Sequence, residues 1–153
     1  MAALKGKSAL VTGGSRGIGA AIAKRLAKEG ADVAITYSSS QQRAKQVVDD
    51  ILNGGGRAVA IKADAADQVA VRAAVQQVAQ EFGKIDILVN NAGLLTFGPT
   101  TDSTVNDFEK ALSVNVRSVF TATQESVRHM PDGGRIITLP VRWRKVSVRF
   151  DPV

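Results

Sequence analysis

A glycine-studded segment, Val11-Thr12-Gly13-Gly14-Ser15-Arg16-Gly17-Ile18-Gly19, stands between a short apolar run and a helical repeat, and few folds accept that arrangement. The run before it, Ser8–Thr12, reads as a short buried strand. After it, Ile18, Ile22 and Leu26 recur at helical spacing up to Gly30, a natural stop. Glycines there permit positive φ and let a ligand approach the backbone, while free N–H groups and the helix dipole attract an anion. A plain glycine-rich turn is the alternative reading of the same residues.

The rest of the chain repeats the strand-then-helix alternation, which is the pattern of βαβ units around a parallel sheet. Asp32–Tyr37 is the second strand, and Ser38–Ser40 caps a helix with Ala44, Val47, Val48 and Ile51 on one face, ended by Gly54-Gly55-Gly56. Arg57–Lys62 follows as the third strand. Asp67 caps a helix with Val71, Ala74, Val75 and Val78 inward, and Phe82-Gly83 closes it. Ile85–Asn90 is the fourth strand, apolar except at Asp86, as a strand covered on both faces should be. From Thr104 the spacing is helical through Phe108, Leu112, Val116, Val119, Phe120 and Val127, with a break expected near Asn115. Asp132-Gly133-Gly134 then turns the chain into a fifth strand, Arg135–Leu139.

Composition narrows the function classes. The chain has 153 residues, 20 Lys+Arg against 14 Asp+Glu, net charge +6, one histidine and no cysteine. Without cysteine there is no disulfide framework, thiolate zinc site, iron–sulfur cluster or cysteine nucleophile. No metal site is expected. No stretch reaches the roughly 18 apolar residues of a membrane span, and Met1–Lys7 lacks the apolar core of a signal peptide, so a cytoplasmic protein with no membrane association is expected. His129 reads as a solvated helix-end residue.

Thr12-Gly13-Gly14-Ser15-Arg16-Gly17-Ile18-Gly19 and Asn90-Asn91-Ala92-Gly93 resemble the two hallmark motifs of the short-chain dehydrogenase/reductase superfamily, in order and after the first and fourth strands. The resemblance covers about residues 5–138 and is closest to the 3-oxoacyl-(acyl carrier protein) reductase-like members. It implies an α/β, Rossmann-type doubly wound parallel sheet. It also implies that Gly13, Gly17 and Gly19, with Ser15, Arg16 and Ile18, wrap the pyrophosphate of a nicotinamide dinucleotide. By the same resemblance Asp64 faces the adenine amino group and Ala65 its ring. Asn90, Ala92 and Gly93 line the adenine-ribose side, and Asn115 belongs to the catalytic tetrad, holding a water of the proton relay.

An acidic residue at the end of the second strand would hold a ribose diol and repel a 2′-phosphate. That place reads Tyr37-Ser38-Ser39-Ser40, with no carboxylate. Arg16 can offer a cation and Ser38 and Ser39 donors, so NADP(H) is favoured, with NAD(H) possible. A solvated Arg16 beside a plain serine cap is the alternative.

The family's proton donor is a tyrosine with a lysine four residues on, and a serine positions the carbonyl. Here Arg135-Ile136-Ile137-Thr138 runs into Leu139-Pro140-Val141, with valine in the serine's place. The only tyrosine is Tyr37, and Lys145 is preceded four residues earlier by Val141. The sheet is therefore expected to stop after about its fifth strand, the C-terminal half being missing or replaced. Residues 1–138 read as the dinucleotide-binding domain and 139–153 as a divergent basic tail with four basic residues and one acidic.

Two functions fit. One is an NADP(H)-dependent oxidoreductase on small-molecule carbonyl or alcohol substrates, of which this chain retains the cofactor-binding half. The other is a catalytically inactive dinucleotide-binding or dimerising module. A homo-oligomer is expected through the helix at about 116–130. Nucleic-acid binding by Arg142-Trp143-Arg144-Lys145 is disfavoured, since four charges without a matching fold make a weak electrostatic footprint.

Overall fold

The computed structural model describes residues 2–96 and 98–140. Its strands are β1 (Ser8–Val11), β2 (Asp32–Tyr37), β3 (Ala58–Lys62), β4 (Ile87–Asn90) and β5 (Arg135–Thr138). The helices are α1 (Gly17–Lys28), α2 (Gln41–Asn53), α3 (Gln68–Phe82), α4 (Val105–Leu112) and α5 (Ser118–Val127). All strands run parallel, in the order β3-β2-β1-β4-β5. The fold is Rossmann-type α/β.

Strand residues alternate between two cores, as the period of two requires. Ala9, Val11, Val33 and Ile35 pack with Ala23 of α1 and Ala44, Val47 and Ile51 of α2. On the opposite face Leu10, Ala34, Ile61 and Leu88 meet Val71, Ala74, Val75 and Val78 of α3 and Ala122 of α5. Helices thus cover both faces of the sheet's centre.

Local signals act where the sequence placed them. The Asp67 carboxylate accepts from the Val69 and Ala70 N–H groups, and Gly83 takes φ +79° to end α3. Ser40 is the N-cap of α2 but makes no side-chain cap bond. Strand limits differ slightly from expectation: β1 ends at Val11, β3 begins at Ala58, β4 at Ile87, and β5 ends at Thr138. Ile85 and Asp86 are buried but precede the β4 ladder, because Ile85 N–H bonds the His129 carbonyl and Asp86 N–H that of Ser8.

The expected break near Asn115 is a π-turn, Ser113–Arg117, which joins α4 to α5 without ending the helical path. On the helices either side of it Phe108, Val116, Phe120 and Val127 face solvent, while Ser118, Thr121, Ala122 and Glu125 are buried. β5 is an edge strand, with Ile136 and Ile137 40% and 47% exposed. The basic tail from Val141 onward, including the position of the expected serine, lies outside the described residues. Among the described residues no helix is long and apolar enough to cross a membrane.

Candidate functional site: a cleft at the switch point of the sheet

From β1 the strand order steps outward through β2 and β3, then returns to place β4 on the other side of β1. The connections leaving the carboxyl ends of β1 and β4 therefore diverge, and a crevice opens between them. A cleft of about 560 Å³ lies there, walled by Gly13, Ser15–Gly19, Thr36–Ser38, Ala63–Ala65, Asn91–Leu94, Lys110 and Val114.

Its floor is the glycine loop, tied down on two sides. Gly13 N–H donates to Thr36 Oγ1 at 3.1 Å and Gly14 N–H to the Thr36 carbonyl at 3.0 Å. From β4, Asn91 and Ala92 N–H groups donate to Thr12 Oγ1 at 3.0 and 3.1 Å. The Asn91 amide donates to the carbonyls of Thr12 and Gly13, both at 3.0 Å. Gly13 and Gly17 hold φ of +65° and +53°, the left-handed region that glycine enters without strain. A Cβ on Gly19 would stand 2.5 Å from the Gly13 carbonyl oxygen and collide with the Asn91 amide. At Gly14 and Gly19 the loop leaves no room for a side chain, whereas Gly17 has open space around it.

Helix α1 starts at this loop with no acidic residue in its first turn and no side-chain cap from Arg16. Its first N–H groups and positive dipole end thus remain available to an anion at the cleft floor. The charged residues on the cleft wall are Arg16, Lys110 and Asp64. Two cations against one carboxylate, beside a helix N-terminus, suit a polyanionic ligand. No carboxylate follows β2; the acid of that strand, Asp32, sits at its other end, 3.4 Å from Arg57.

Of the residues singled out from the sequence, Gly13, Ser15, Arg16, Gly17, Ile18, Gly19, Ser38, Asp64, Ala65, Ala92 and Gly93 line this cleft. Ser39, Asn90 and Asn115 are not on its wall. Asn90 is buried behind it, its amide 3.3 Å from the hydroxyls of Thr123 and Thr138. Asn115, inside the π-turn, accepts from Leu94 N–H and donates to the Leu94 carbonyl, both at 2.8 Å. It thereby fixes the strand-to-helix connection that forms the cleft rim. Asp64 Oδ1 accepts from Ala66 N–H at 2.9 Å, holding the turn after β3.

Sequence reasoning missed Asn91, Thr12, Thr36 and Lys110. Asn91 lay inside a quoted motif, and Thr12 and Thr36 end strands that a parallel sheet brings beside it. For Lys110 there was no local signal, since a lysine in an amphipathic helix reads as solvated.

A Rossmann-type domain whose glycine loop opens on the crevice between β1 and β4 is thus defined by its geometry. The chain belongs to the short-chain dehydrogenase family, whose model matches residues 7–143. It is 45% identical over 139 residues to an uncharacterized oxidoreductase of Methylorubrum extorquens, covering 91% of this chain and 56% of that protein. Among solved structures it is similar to a short chain dehydrogenase from Burkholderia cenocepacia in complex with NADP, with TM-score 0.88 and 60% identity over 89% of this chain and 56% of that one. It is also similar to a blue fluorescent protein from a metagenomic library in complex with NADPH, with TM-score 0.86, 51% identity and the same two coverages. The chain spans about half the length of the relatives it matches.

Proposed function

We propose that this chain is the cofactor-binding part of an NADP(H)-dependent oxidoreductase that acts on a small-molecule carbonyl or alcohol. The observation that carries the reading is the cleft itself: a glycine-rich floor, Arg16 and Ser38 on its wall, and no carboxylate just after β2 to repel a 2′-phosphate. The Burkholderia and metagenomic relatives, bound to NADP and NADPH, support the same choice of dinucleotide.

The residues present fit such a group. Gly13, Gly17 and Gly19 leave room for a pyrophosphate at the α1 N-terminus, Arg16 and Ser38 stand where a 2′-phosphate would lie, and Asp64 and Ala65 border the place of the base. Ala92 and Gly93 border the ribose side and Asn90, buried behind them, holds the sheet, with Ser39 adjoining Ser38. When bound, the nicotinamide supplies or takes a hydride at the substrate carbon. Asn115 orients the rim through Leu94 and, as part of the family's tetrad, serves the proton path.

A second reading, a dinucleotide-binding or dimerising module, is favoured by one observation, the apolar side chains exposed along one helical stretch. The exposed Val116, Phe120 and Val127 support association of copies through the helix at 116–130.

Calorimetric titration of the folded chain with NADPH and with NADH tests the proposal. NADPH is expected to bind in the micromolar range and more tightly than NADH, with Arg16→Ala weakening NADPH about tenfold and NADH less. A folded chain that binds neither nucleotide would overturn it.

A further inference from the structure

The cleft wall bordering the place of the base is made from two separate pieces of chain. One side is the connection Ala63–Ala65 after β3, and the other is Val114 in the π-turn. Ala65 and Val114 are small and apolar, a lining that suits a flat ring, and their spacing depends on what joins the two pieces.

The join is made by side chains. Ser113 Oγ donates to the Ala66 carbonyl at 2.9 Å. Gln68, the first residue of α3, lies between the pieces, with its amide nitrogen 3.3–3.5 Å from the carbonyls of Ala65, Ala66 and Ser113 and from Ser113 Oγ. Its oxygen accepts from Thr121 Oγ1 at 2.8 Å, which ties the same amide to α5. The carbonyls of Ala65, Ala66 and Ser113 can only accept, so they set which way the amide faces, and the buried Thr121 hydroxyl donates to the oxygen on the other side. Two protons shared among four acceptors make a join that holds register without demanding one geometry.

We propose that Gln68 is a positioning residue for the nucleobase wall of the cleft, setting the spacing of Ala65 and Val114 by bridging the turn after β3, the π-turn and α5. This rests on the dinucleotide reading of the cleft. Gln68 touches no ligand in this role; it acts through Ala65–Ala66 and Ser113. Because Asn115 rides on the same π-turn, the bridge also links the base's place to the Leu94 rim.

Gln68→Met keeps the side chain's length and removes every bond that Gln68 makes, leaving the Ser113 bond to Ala66 in place. The variant and the parent chain are titrated by calorimetry with NADPH and with adenosine 2′,5′-bisphosphate, which carries the base and 2′-phosphate but no nicotinamide. Both affinities are expected to fall by the same factor, about fivefold, as loss of shared neutral hydrogen bonds implies. Unchanged affinity for the bisphosphate overturns the proposal. A loss for NADPH clearly larger than for the bisphosphate overturns it too, because general slackening of the domain would weaken both halves of the dinucleotide. If Gln68→Met does not fold, Ser113→Ala, which removes one bridging hydroxyl, is expected to show a smaller equal loss for both ligands, and no loss there refutes the bridge. A parent chain that binds neither compound defeats the dinucleotide reading itself, whereas a parent that binds both, with variants that bind equally, defeats only the role of Gln68.

Discussion

The two ends of β4 both bury polar side chains, and they do so for different ends. Where the chain enters β4, Asp86 is 3% exposed and accepts from Ser8 N–H at 2.9 Å, with Lys7 at 3.0 Å and Lys84 at 3.1 Å. The partners there bond one another within the same cluster. Where the chain leaves β4, the polar groups of Asn90, Asn91 and Asn115 bond neighbouring backbone and hydroxyls, which shapes a glycine loop whose own donors face a cleft. Polar burial that closes on itself supports stability; polar burial spent on another segment's backbone holds an open site.

The difference has measurable consequences. The largest is at the carboxyl end: Gly19→Ala forces a methyl against the Gly13 carbonyl and the Asn91 amide, and overpacking of this kind costs roughly 2–3 kcal/mol. If that strain falls on the loop, NADPH affinity drops on the order of a hundredfold in calorimetry. Unaltered affinity would break the comparison, since the loop would then tolerate a side chain. Next comes the entry end, where Asp86→Asn leaves Lys7 and Lys84 without their carboxylate. Both lysines are half-exposed, so solvent screens part of the loss, and about 1–2 kcal/mol of unfolding free energy is expected in urea. NADPH affinity of the folded variant should not change, and a drop would show that the two ends are coupled.

The smallest effect is in pH. Burial pushes the Asp86 carboxyl up, but the Ser8 N–H and the two lysines outweigh it and hold it below its ordinary range. In Glu125 the bond from Gln76, aided by Arg72 and Arg128, likewise outweighs burial. Carboxyls lowered in the folded state stabilise it above the ordinary carboxylate pKa of about 4, and this contribution is lost as pH falls through their folded values. The melting temperature is therefore expected to stay level from about pH 7 to 5 and to fall below about 4, with a shallower fall in Asp86→Asn. A decline beginning near neutrality would break the assignment of the acid limb to these two carboxyls.

Much of this molecule was readable from one dimension. Asp67 as a cap, Val71, Ala74, Val75 and Val78 as a buried face, Gly83 as a stop and the glycine loop between β1 and α1 all act within a turn or two of chain. The disturbance at Asn115 was readable as well, but not its form. A π-turn that keeps the helix going depends on Leu94, 21 residues away, which pairs with the Asn115 amide. The outward face of Phe108, Val116 and Phe120 escaped for the same cause, since spacing shows that a stripe exists and not which side the sheet takes.

What the sequence determined by itself, then, was the succession of strands and helices, their caps and the place of the glycine loop, because each depends on hydrogen bonds and sterics between near neighbours. Only the tertiary structure decided that Asn91 meets Thr12 and Gly13, that Lys110 reaches the cleft wall and that Gln68 bridges Ala66 to Ser113. The hydrogen bonds among them that cross the fold join residues 45 to 79 positions apart, and a parallel sheet brings them together only after its strand order is set.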